Sequence, residues 1–132
     1  MEDFNISKKC ELYPYVVYVT DMDADFINKN YKYANGDSLN TEGDPYMRTF
    51  NEVKGNKGYG SLVWVRCDAN EENRNIVSSV AAHEAFHIAN GMCEYLNLFY
   101  TTDKDEHIAY LIQYITKVIL DVIYGNSCDC NK

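Results

Sequence analysis

A chain of 132 residues with 20 acidic and 12 basic side chains, formal charge -8, is long enough for one domain with a real core and needs neither disulfide nor metal to fold. Its Lys and Arg are too few and too scattered to form a phosphate-tracking patch, so neither nucleic acid nor an anionic membrane is an expected partner. Five cysteines, Cys10, Cys67, Cys93, Cys128 and Cys130, make an odd, irregular set that reads as reduced thiols.

The opening "MEDFNISKKCELY" has no basic segment followed by an apolar one, which predicts no secretory or transit signal and a cytosolic location. The abundance of Asn, Lys, Ile and Tyr suggests AT-rich coding, as in a low-GC bacterium or its phage. Residues 11 to 20, "ELYPYVVYVT", are β-branched and aromatic and predict a strand, with Pro14 at an edge or first position. From Asp21 to about Gly58 the chain is polar and turn-rich, with turns expected at Asn35-Gly36, Gly43 and Asp44-Pro45 between short strands of a meander. The glycines of "KGNKGYG" open no helix and lack the ending of a phosphate loop, so they predict a hairpin or edge-strand turn.

"YGSLVWVRC", Tyr59 to Cys67, predicts a strand in which Trp64 is core or lines a substrate groove. Asp68 and Glu71 then stand at capping-box spacing, which predicts a long helix from Ala69 or Asn70 to about Asn97, with Ile76, Val77, Val80, Ala81, Ile88, Met92, Tyr95 and Leu96 on its apolar stripe. A second long helix is expected after Thr101, Thr102 or Asp103, carrying Ile108, Leu111, Ile112, Ile115, Val118, Ile119 and Val122 until Gly125 stops it. Gln113, Lys117 and Asp121 give that helix a wet face, which argues against a membrane span. Residues 126–132, with the Cys128 and Cys130 pair, predict a flexible tail. The expected fold is α+β: one unit over residues 1–132, a small, mostly antiparallel sheet packed on two long helices.

The first long helix contains "HEAFH". Residues four apart share a helix face, so His83 and His87 can aim two imidazoles at one point, a bite suited to zinc, while Glu84 projects toward the same opening. A catalytic zinc wants a third protein ligand from a separate element, and Glu106 at the start of the second helix is the candidate. His107 is an alternative third ligand, although neighbours on a helix diverge by about a hundred degrees. Asp103 and Asp105 read as charge favourable to the helix dipole. Cys93 falls off the ligand face and is expected to pack as a small hydrophobe. The competing reading is two unligated histidines on an amphipathic helix.

On "HEAFHIANGMCEYLN" and "DEHIAYLIQYI" the chain resembles the gluzincin branch of zinc metallopeptidases, and especially small metallopeptidase-like proteins of phages infecting Bacteroidetes-type bacteria. The resemblance covers roughly residues 59 to 120. It implies a minimal zincin-like domain, an upstream strand that pairs with extended substrate, Zn2+ held by His83, His87 and Glu106, and Glu84 as general base. It also implies a peptide or protein substrate. Four residues after Glu106, where larger gluzincins commonly carry an aspartate, this chain has Tyr110, which offers a hydrogen bond but no negative charge. Candidates for an oxyanion donor are Tyr100, Tyr110, Tyr114, His107 and Arg66. The alternative expectation is a non-enzymatic phage component in a neck, tail or ring that retains the scaffold and its zinc as a staple, with other virion proteins as partners. A third is a metal-free binding module, such as an inhibitor or toxin partner.

Overall fold

The computed structural model describes residues 5–9, 14–43, 45–96 and 105–125, and the side chains of 5–9, 105 and 106 fall outside that description. The elements run β1 (Asn5–Lys9), β2 (Val16–Thr20), α1 (Ala24–Asn30), β3 (Lys32–Tyr33), β4 (Met47–Gly55), β5 (Gly58–Val65), α2 (Arg74–Tyr95) and α3 (Asp105–Tyr124). The fold is α+β. One sheet of order β1-β2-β5-β4-β3 is antiparallel except for the parallel pair β2 and β5.

β2 is buried at every position, which explains why "VVYVT" does not alternate: a strand covered on both faces reads as a continuous apolar run. β4 and β5 form the hairpin expected around Asn56-Lys57, with Gly58 at φ 118. The Tyr18 hydroxyl pins that turn, donating to the Gly58 carbonyl at 2.6 Å and accepting from the Lys57 amide at 3.0 Å.

Each face of the sheet has its own core. One carries Val16, Tyr18, Phe50, Val53, Leu62 and Trp64, covered by α1 through Ile27 and by Tyr31 and Leu39. The other carries Tyr15, Val17, Val19, Met47, Val63 and Val65, covered by α2 and α3. Trp64 is core, 1 % exposed, and its indole donates to the Met22 carbonyl at 2.7 Å.

Three expectations need correction. The meander between Asp21 and Gly58 contains a helix, α1, because Asp23 caps it by accepting from the Phe26 amide at 2.9 Å and Ile27 anchors it. α2 starts at Arg74 rather than at residue 69 or 70. The Asp68–Glu71 box does not form: Asn70 and Asn73 exchange side-chain to backbone hydrogen bonds at 2.8 and 3.1 Å, and Glu71 pairs with Arg74 at 2.6 Å. Of the predicted stripe on α2, Ile76 and Tyr95 are exposed.

α3 matches its expected stripe closely, with Ile108, Leu111, Ile115, Val118 and Ile119 buried and Gly125 ending it at φ 64. Its residues 107–124 are long and apolar enough to cross a membrane by length and composition. In this fold the apolar side packs into the core, while Lys117 and Asp121 pair on the outer side at 2.6 Å.

Candidate metal centre

α2 crosses the sheet above β4, and two side chains of β4 reach it. Thr49 and Asn51 stand two residues apart, on the face that also carries Met47. The Thr49 hydroxyl donates to Glu84 Oε1 at 2.7 Å. Asn51 Nδ2 donates to the His87 carbonyl at 3.1 Å, and its Oδ1 accepts from the Ser61 hydroxyl at 2.6 Å. Ser61 and the buried Tyr15 hydroxyl share a further hydrogen bond at 2.5 Å, and burial pushes the Tyr15 phenol up to about 12. Gly91 permits the close approach: a Cβ there would run into the Asn51 amide, so a glycine is kept inside a helix where it costs about 1 kcal/mol relative to alanine.

The geometry separates the three residues of the motif. Glu84 is 8 % exposed and faces β4. His83 and His87 lie on the exposed side of α2, their Nε2 atoms 3.3 Å apart and their rings edge to face at 4.9 Å. Two nitrogens bound to one zinc ion at about 2.0–2.1 Å in tetrahedral geometry stand about 3.3 Å apart, so the pair already has the bite of two zinc ligands. The same separation suits one imidazole N–H donating to the other. Burying a carboxylate costs several kcal/mol unless charge or hydrogen bonds compensate. Among the described residues Glu84 has one hydroxyl donor and no cation in ion-pair range.

Among the described residues no third His, Cys, Asp or Glu joins a metal-binding group with the pair. Glu106 lies in the first turn of α3, and its side chain is outside the described residues. The two helices run antiparallel, with Tyr124 donating to the Asn70 carbonyl at 3.2 Å and stacked under the Arg74 guanidinium at 4.2 Å. On that register the backbone of Glu106 is level with roughly Met92, about 7–8 Å along α2 beyond His87.

Arg66 stacks on Trp64 at 4.3 Å, on the sheet face turned away from α2. Tyr110 is 63 % exposed and Tyr114 40 %, and His107 is exposed. Tyr100, Asp103, Cys10, Cys128 and Cys130 lie outside the described residues, and the side chain of Asp105 does too. Cys93 is buried and burial raises its thiol pKa, as the small-hydrophobe expectation requires. β5, the strand of "YGSLVWVRC", has both edges occupied by β2 and β4, so it cannot pair with a substrate as expected.

Among the described residues, β4 is the strand beside α2 whose outer edge is paired only in part. β3 meets it only at Val53 and Lys54. The Tyr46 carbonyl bonds the Arg66 amide at 3.0 Å, and antiparallel alternation from that pair turns the backbone groups of Met47 and Thr49 away from β5. Sequence reasoning missed Thr49 and Asn51. The signal available was a polar pair two apart in "MRTFNEV", flanking the apolar Phe50.

No protein-family model, no curated protein and no solved structure matches the chain.

Proposed function

We propose that the protein hydrolyses peptide bonds with a zinc ion held by His83, His87 and Glu106 and with Glu84 as general base. The observation that carries this reading is the pairing of a tetrahedral bite between His83 and His87 with a buried carboxylate on the intervening turn. When bound, zinc supplies a Lewis acid for the carbonyl and acidifies a water molecule. As general base, Glu84 would take a proton from the attacking water and return it to the leaving amine, and for this its carboxylate has to swing from Thr49 toward the histidine side of α2. Thr49 fixes the Glu84 carboxylate, and Asn51 fixes the backbone of His87. The outer edge of β4 at Met47 and Thr49 offers N–H and C=O groups to an extended peptide.

A second reading, a non-enzymatic component of a phage assembly that keeps this scaffold, draws on one observation. Glu84 ties α2 to β4 through Thr49, so it has a structural use that needs no hydrolysis.

Glu84→Gln keeps an acceptor oxygen for Thr49 and removes the base. Wild-type and Glu84→Gln proteins, loaded with zinc and given a mixed peptide library, separate the readings. Cleavage by wild type and its loss by about 10²–10⁴-fold in the variant supports the hydrolase; zinc retained by both with no cleavage supports the assembly component. Zinc content unchanged in His83→Ala overturns the ligand set.

A further inference from the structure

The outer face of α2 has a second peculiarity beside the histidine pair. From Asn75 to Asn90 its only charged residue is Glu84, which is buried, while Ile76, Ser79, Ala82 and Phe86 are exposed around His83 and His87. Ile76 is 59 % and Phe86 44 % exposed. On a chain of formal charge -8, two copies repel through most of their surface, and an uncharged helix face is where they approach at least cost. Ser79 and Ala82 leave room for a second backbone.

We infer that this face pairs with a second copy of the chain, and that the His83–His87 pairs of the two copies close on one shared zinc ion. The contact is isologous, with the cation on the twofold axis. Each copy brings two nitrogens 3.3 Å apart, and two such bites complete a four-coordinate tetrahedral site with no other donor. One helix face of this length covers on the order of 300–500 Å² per copy, below the ~800 Å² of a standard stable interface, so the pairing depends on the metal. The inference does not rest on the hydrolase reading, but it bears on it. Four imidazoles leave no position for water, so the dimer is the resting form and the monomer the working one.

Sedimentation velocity of the full chain tests this, with zinc at half an equivalent per chain and with a chelator, alongside zinc-to-chain ratios. A dimer with one zinc per two chains, reverting to monomer in chelator, is expected. His83→Ala and His87→Ala stay monomeric in zinc, and Phe86→Glu, which places a like charge on the face, weakens dimerisation at least tenfold. All three sites are exposed, and circular dichroism confirms that the variants fold. Glu106→Ala still dimerises. A monomer with zinc bound, a dimer that survives chelator or His83→Ala, or a dimer lost in Glu106→Ala overturns the inference. Failure of the hydrolase reading shows instead as absent cleavage by the zinc-loaded chain, whatever its sedimentation.

Discussion

Helices α2 and α3, 22 and 20 residues long, pack into the same core and spend their residues differently. α3 lays Ile108, Leu111, Ile115, Ile119 and Ile123 along one stripe and turns Gln113 and Lys117 outward. α2 buries a carboxylate and a glycine, and exposes Ile76, Phe86 and two histidines. A helix that only packs follows the pattern of α3. Departures from the local rules gather where something other than packing sets the residue, and in α2 they gather around His83, Glu84 and His87.

Ile119→Ala, which empties the centre of the α3 stripe, is expected to cost about 2–5 kcal/mol in denaturant unfolding. Next comes alkaline pH. Tyr15 is neutral in the fold up to about pH 12 and ionises near 10 when unfolded, so the unfolded chain binds fewer protons between those values and stability falls as pH rises through them. The loss is on the order of 2–3 kcal/mol and flattens in Tyr15→Phe; an equal fall in that variant removes the assignment.

Gly91→Val drives a side chain into Asn51, with an expected cost of about 1–3 kcal/mol. In a double-mutant cycle with Asn51→Ala the two losses are less than additive; strict additivity denies that Gly91 exists for Asn51. Thr49→Val strips Glu84 of its donor and costs about 1–3 kcal/mol, whereas Thr49→Ser restores most of it. The smallest effect belongs to the exposed pair. Without metal, His83→Ala shifts stability by no more than about 0.5 kcal/mol, and a loss approaching that of Ile119→Ala makes the histidines packing residues after all.

Legibility in the sequence follows the range of the interactions. The stripe of α3, the apolar strands β2 and β5 and the hairpin turn at Asn56-Lys57 are local or periodic, and a linear reading finds them. α1 is short, seven residues with a single fully buried anchor, Ile27, too few to show a helical period, although Asp23 with the Phe26 amide three residues on is a cap the sequence offers. The His83–His87 bite is a consequence of helix periodicity. The partners of that turn are 35 and 36 residues away, and no local pattern carries them.

The α+β class, the two long helices and the meeting of two imidazoles on one helix face are readable along the chain, because each follows from the period of the backbone. Only the packed fold sets that Glu84 turns inward to Thr49 while the histidines turn outward. It also sets that β5 is flanked by β2 and β4 while, among the described residues, β4 is paired on its outer edge only at Val53 and Lys54, and that Gly91 makes room for Asn51. These are matters of which strand lies beneath which turn, and that is set by the packing of both sheet faces at once.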